Sequence, residues 1–265
     1  MGSTGVVFYG TGNNSQRGLY EQSGAVLTAR ADTQTPVPQG VGVFQEFSGP
    51  SRFRGDAFAF NGFGSSGQEG VYVSTPGAVA RVADRNTQIP NTNATFSGFE
   101  GVSMDANGDV AFKVRNDNGM GQPSGIYLST ANTFTRLVAE GDVITGSNAT
   151  VGFINAFSYD SGRLLFEAFE EGETAPTLFL RETDGTFLRI LGRGDSINGH
   201  LYERLGIGPE SLSGDQAALY FNGRSSGLDP HYEAIVTFTV PAPGMLPMLA
   251  AAGLHMRRSR RRRPN

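Results

Sequence analysis

Four acids, Glu167, Glu170, Glu171 and Glu173, form the densest cluster of side chains in this chain that could move protons. Cleaving a glycosidic bond takes two carboxyls flanking it, about 5–9.5 Å apart, so Glu167 and Glu170 are the pair to weigh for glycan chemistry. The plainer reading is a hydrated turn. Glu167 adjoins Phe166 on an expected strand, and the other three acids lead toward Pro176. A second oxygen-rich cluster alternates Asp105, Asn107 and Asp109, with Asn116, Asp117 and Asn118 close behind. Hard cations such as calcium favour such turns, but an EF-hand loop needs glycine at its sixth position and a distal glutamate. Here Gly108 is fourth and Val110 sixth. Asx residues that start a strand account for the same letters.

Histidines add little. His200 follows an Asn-Gly turn, His231 follows Asp-Pro, and His255 lies near the terminus, none at a metal-ligand spacing. No cysteine is present, so neither a disulfide nor a thiolate zinc site can form. Gly10-Thr11-Gly12 and Gly62-Phe63-Gly64 lack the helix that would turn a glycine-rich loop into a phosphate site, and read as hairpin glycines. The GSSG run from Gly64 lacks the spacing of a nucleophile elbow. The expectation is therefore no cofactor, no metal and no catalytic residue, with Asp105, Asn107 and Asp109 the weak metal candidates.

The elements that would position these groups repeat. Phe8, Phe60, Phe112, Phe166 and Phe221 recur at intervals of 52, 52, 54 and 55 residues. A second register, Tyr20, Tyr72, Tyr127 and Phe179, follows the first, and a third, Phe47, Phe99 and Phe157, closes each unit. In the third unit the order is VAFKV from Val110, GIYLS from Gly125, FTRLVA from Phe134 and VGFINAFS from Val151. These are short runs rich in Val, Ile, Phe, Tyr and Thr, separated by Asn, Gly, Asp and Pro, which is the pattern of half-buried strands. With 37 Gly and 13 Pro, no stretch of the body supports a long helix.

One four-stranded sheet cannot bury both of its faces, so the units must pack face against face. A period of about 53 residues with four strands sits near that of propeller blades. The expected fold is all-β, a propeller-like array of four-stranded antiparallel repeats over residues 1–239, with an open sheet stack or sandwich as the alternative. If each blade takes the last two strands of one unit and the first two of the next, four blades are complete. The opening pair, Val6 to Tyr9 and Gly18 to Gln22, is then left without partners. On that phase the chain starts late, and a signal peptide and two further strands are expected upstream of Met1. Asn93-Ala94-Thr95 and Asn148-Ala149-Thr150 recur at one point of successive units and, with Asn13-Asn14-Ser15, mark surface loops.

Residues 240–265 are different in kind. From Gly244 onward the chain holds six of its 21 basic residues and none of its 25 acids, leaving the body a net charge of −10. Such a body repels nucleic acid, whose binding needs a basic surface. The apolar run Met245 to Met256 is 12 residues long, short of the roughly 20 that cross a hydrocarbon core. The order is Val240, Pro241, Ala242 and Pro243, then the apolar run, then Arg257, Arg258, Arg260, Arg261, Arg262 and Arg263. This tail resembles the PEP-CTERM sorting signal, in a planctomycete-type form with Ala242 where glutamate is usual. The resemblance implies an exosortase-type sorting enzyme as partner, export to the cell surface or matrix, and contact with the membrane only through the tail.

The body carries its own resemblance. Asp105, Gly108 and Phe112 read D-x-x-G-x-x-x-F, and Tyr159, Gly162 and Phe166 repeat the Gly-to-Phe spacing, while Gly55 and Gly214 keep the glycine. The pattern is similar to the N-x-x-G-x-x-x-F tandem repeats of exported bacterial proteins. Two functions remain in view: a non-enzymatic surface or matrix scaffold that binds polysaccharide or protein through rim loops, and an extracellular glycan-acting propeller enzyme using Glu167 and Glu170.

Overall fold

A computed structural model describes residues 5–51, 53–115, 124–144, 149–197, 199–224 and 232–240. The chain divides into two compact units, residues 1–140 and 141–265. Both units are all-β, built as expected from successive antiparallel sheets, most of them four-stranded. Among the described residues no helix is long and apolar enough to cross a membrane.

The first unit holds three sheets. β1 (Val6–Thr11), β2 (Arg17–Ser23) and β3 (Val26–Asp32) form the first. β4 (Phe44–Ser48), β5 (Phe58–Gly64), β6 (Glu69–Thr75) and β7 (Ala78–Asp84) form the second, and β8 (Gly98–Met104), β9 (Val110–Arg115), β10 (Gly125–Thr130) and β11 (Thr133–Ala139) the third. In the second unit, β12 (Val151–Asp160), β13 (Arg163–Glu170), β14 (Pro176–Arg181) and β15 (Phe187–Leu191) make the fourth sheet. The fifth contains β16 (Ser196–Ile197), β17 (His200–Gly206), β18 (Leu212–Ser213), β19 (Gln216–Arg224) and β20 (Tyr232–Thr239). There β17 and β18 pair with successive stretches of β19, and β20 pairs along it.

The phase of the repeat differs from the expected two-plus-two division. Each complete sheet takes one strand from the end of a unit and three from the next, so β1 and β2 do have a partner, β3. The reason lies in connection length, since short links make neighbouring antiparallel strands. β8 turns into β9 through Asp105–Asp109, and β12 into β13 through Ser161–Gly162. The D-x-x-G motif is thus the hairpin that opens a sheet. Longer links, such as residues 33–43 and 85–97, lead from one sheet to the next and supply their own hydrogen bonds. In both, an Asp takes the N–H two residues on and the hydroxyl three residues on, Asp32 from Gln34 and Thr35, Asp84 from Asn86 and Thr87, at 2.9–3.0 Å.

The aromatic registers are the rungs of the ladders. Phe8 lies opposite Tyr20, Phe60 opposite Tyr72, Phe112 opposite Tyr127 and Phe166 opposite Phe179. The ring pairs repeat with the chain, centroids 5.4–6.2 Å apart and planes within 21–32° of each other. Strand alternation gives each of the first four sheets a face that carries these rungs and an opposite face built mainly of aliphatic residues. Leu19 and Ala31 of the first sheet pack on Phe58, Phe60 and Tyr72 of the second, and Ala59, Val71 and Ala83 of the second on Phe99 and Phe112 of the third and on Phe96 of the link before it. In the second unit Leu165, Leu178 and Leu180 meet Leu205, Leu219 and Phe221.

Bulges recur too. Where the last two strands of each of the first four sheets meet, Arg30, Val82, Leu137 and Ile190 are the extra residues. The bulged strand swings so close that a Cβ at Gly18, Gly70 or Gly125 would stand 2.5–2.8 Å from the carbonyl oxygens of Ala31, Ala83 and Val138. Only glycine fits there. A second set of bulges, at Gln45, Gly101, Asn155 and Glu203, interrupts β4, β8, β12 and β17.

Buried charges clamp sheet to sheet. Glu69 of β6 accepts the Phe99 N–H at 2.8 Å and pairs with Arg85 at 2.8 Å and Arg115 at 3.1 Å. Arg30 reaches from the first sheet to the carbonyls of Asp56 and Ser74 and lies over the rings of Phe53 and Phe58, while also pairing with Glu21. In the second unit Arg163 joins Glu182 at 3.1 Å to Asp215 at 2.9 Å. Beside it Ser158 and Asp160 accept the N–H groups of Leu212 and Gly214.

Candidate functional site

Sheet alternation separates the two carboxylates that glycan cleavage would need together. β13 pairs with β14 without a register break, so residues two apart share a face. Glu167 stands on the face of Leu165, Leu178 and Leu180, toward the fifth sheet. Glu170 lies on the opposite face, where its carboxylate accepts the Thr177 hydroxyl at 2.9 Å. Glu171 and Glu173 are exposed in the following turn, and Glu173 pairs with Arg193 at 2.9 Å. The acidic cluster of the sequence is therefore not a cluster of side chains in space.

Glu167 itself is set apart from the surface acids. It is 2 % exposed on the edge of an apolar layer. Its Oε1 accepts a hydrogen bond from the Asn155 amide at 3.1 Å, and its Oε2 is buried with no hydrogen-bond partner. Asn155 reaches it because it is the bulge residue of β12: the extra residue breaks the in–out alternation and re-aims that side chain along the sheet. Two rungs along, Phe153 of β12 and Phe169 of β13 bring their rings to 6.3 Å, and Phe153 is 52 % exposed. Tyr202 of β17 packs in the same layer and donates its hydroxyl proton to the Pro176 carbonyl.

Burial dominates the electrostatics. It pushes the Glu167 carboxyl above its ordinary value, and the Asn155 hydrogen bond opposes the shift. Tyr202 is raised by burial first and by the charge of Glu167 second. A carboxyl that gains proton affinity on folding contributes stability that is complete below its unfolded value and lost as pH rises through the folded one. Glu167→Gln, which keeps the Asn155 contact, should therefore melt above the parent at about pH 8, and the gap should close near pH 4. Differential scanning calorimetry at both pH values checks this; an equal gap at both would refute it.

The other residues singled out by sequence have structural roles or lie outside the described residues. The Asp105 carboxylate, wholly buried, accepts the N–H groups of Asn107 at 2.9 Å and Asp109 at 3.0 Å, which spends it on the turn. Among the described residues no three His, Asp or Glu side chains gather as a metal site. His200 is half-buried at the start of β17 rather than in a solvated loop. Gly10 and Gly62 lie inside β1 and β5, not in hairpin turns, because each faces another glycine, Gly18 or Gly70, across the ladder. Asn93 is exposed on the link between the second and third sheets. Val240 is buried in the second unit's core, its N–H bonded to Asp215 at 2.8 Å. Pro241, Ala242, Pro243, the six tail arginines, His231, His255, Asn116, Asp117, Asn118 and Asn148 fall outside the described residues.

Residues 3–255 match the model of a family of unknown function, DUF7453. The chain belongs to the DUF7453 family. No curated protein matches it. Among 19 solved chains that do is the crystal structure of polysaccharide lyase Uly1, at 10 % identity and a TM-score of 0.41. The match covers 89 % of this DUF7453 chain and 58 % of that one.

In this DUF7453 chain, Phe153, Asn155, Phe169 and Tyr202 are the site residues that sequence reasoning passed over. One signal was available. The inward residues Ile154 and Phe157 are three apart, where an unbroken strand would space them by two, and an odd spacing betrays a bulge.

Proposed function

We propose that this chain is a non-enzymatic, exported repeat scaffold. It binds neutral polysaccharide at the β12–β13 rim and is sorted to the cell surface or matrix through residues 240–265. The observation that carries the binding role is the Phe153 ring, 52 % exposed beside Phe169 on the β12–β13 strand pair. Sugars offer hydroxyls beside apolar C–H faces, and exposed aromatic rings complement those faces. The net charge of −10 on the body favours neutral chains over acidic ones. A binding role is favoured over hydrolysis because Glu167 and Glu170 occupy opposite faces of their sheet, and the paired-carboxylate mechanism needs them across one bond.

Affinity electrophoresis in gels containing a neutral β-glucan or galactomannan, with alginate as the acidic control, tests the binding role. The chain should be retarded by a neutral polymer, and Phe153→Ala should weaken that retardation at least about tenfold, some 1.4 kcal/mol. No retardation, or retardation indifferent to Phe153, would refute it. Sorting rests on the tail's resemblance alone. With an exosortase-type enzyme co-expressed, intact mass should drop by most of the tail, and Pro241→Ala with Pro243→Ala should abolish the loss.

A further inference from the structure

The repeat has two unlike faces, and one of each is left uncovered. In the first sheet the ladders put Val6, Phe8, Tyr20 and Leu27 on the aromatic face. There Val6 is 64 %, Phe8 37 % and Leu27 60 % exposed, whereas the equivalent rings Phe60, Tyr72, Phe112 and Tyr127 are at most 2 % exposed. In the fifth sheet the face opposite Phe221 carries Leu201, Tyr220 and Ile235, at 55 %, 39 % and 55 % exposure. That second face corresponds to Leu19 and Ala31 in the first sheet and to Ala59, Val71 and Ala83 in the second, which are buried beneath the next sheet's aromatics.

We infer that these two surfaces are one interface split between copies: the Leu201–Tyr220–Ile235 face of a second copy covers the Val6–Phe8–Tyr20–Leu27 face of the first. Continuity with the layers inside the chain selects this occupant. The aromatic face meets the same opposite face at the first-to-second, second-to-third and fourth-to-fifth sheet layers, so the contact that would form already forms three times in the same molecule. Several large apolar side chains exposed on one sheet face mark an interaction surface. Because the two faces differ, the contact is head to tail, and a head-to-tail contact builds rings or filaments instead of stopping at a two-fold dimer.

Sedimentation equilibrium of the full chain, over a wide concentration range, tests the inference. Average mass should rise with concentration past that of a dimer. Phe8→Asp and Ile235→Asp each sit on exposed positions, so at dilutions where the parent is monomeric both variants should melt as it does, and each alone should stay monomeric at every concentration. Mixed in equal amounts, they should form a dimer and nothing larger, since each supplies the intact face the other lacks. A parent that stays monomeric throughout, variants that assemble like the parent, or a mixture that stays monomeric would each overturn the inference. An isologous contact is distinguished by the mixture, which would not regain a dimer capped at two copies.

Discussion

Phe112→Ala should lower the stability of the first unit by about 3–5 kcal/mol, the cost of emptying a buried phenylalanine site. Phe8→Ala, at the same place in the repeat, should cost the monomer less than about 1 kcal/mol. The letters are the same and the surroundings are not. Phe112 is wholly buried, in ring contact with Phe96, Phe99, Tyr127 and Phe134 at 5.5–6.2 Å. Phe8 touches Tyr20 at 6.2 Å and is 37 % exposed. Urea titration at low protein concentration, followed by tyrosine near-ultraviolet circular dichroism, separates the two, because the chain has no tryptophan and Tyr127 stacks on Phe112. Equal losses would mean that the aromatic rungs stabilise through their own pairing rather than through the layer that covers them.

The second large effect is expected at Arg163. Its guanidinium is buried against Glu182, which is 2 % exposed, and reaches the Asp215 carboxylate and the Gly214 carbonyl of the fifth sheet. Arg163→Ala strands the Glu182 charge in the interior and should cost about 3–5 kcal/mol. Glu182→Ala on top of it removes the stranded charge, so the double variant should lose less than the sum of the singles. Asp215→Ala should cost under about 1 kcal/mol, because that side chain is 72 % exposed and its pairing is screened by water. Four melting curves complete the double-mutant cycle and a fifth, for Asp215→Ala, is its control; additivity of Arg163 and Glu182 would show that the pair does not act as a unit.

Much of the architecture was legible beforehand. Aromatics at fixed intervals identified the repeat, and their pairing across strands follows from period-two alternation, which is local. The phase of the sheets was not, because it depends on which links are short enough to turn a strand back on its neighbour. The D-x-x-G turn at Asp105 held that information, and reading it as a hairpin would have given the one-plus-three division. The Asp32–Thr35 and Asp84–Thr87 turns, 52 residues apart, were an unread sign of where one sheet hands over to the next.

The candidate site was legible only in part. Glu167 drew notice as one of four neighbouring acids, yet proximity along a strand says nothing about proximity of side chains, since alternate residues face opposite ways. What distinguishes Glu167 is burial beside Asn155 and Tyr202, and that depends on a bulge in β12 and on the arrival of β17 from the next sheet. The sequence by itself determined the strand content, the repeat and the aromatic rungs, because hydrophobic periodicity and turn chemistry act over a few residues. Only the tertiary structure decided which charges become buried clamps, that Glu167 Oε2 is buried without a partner and which aromatic face stays open, because desolvation is set by whatever packs on top.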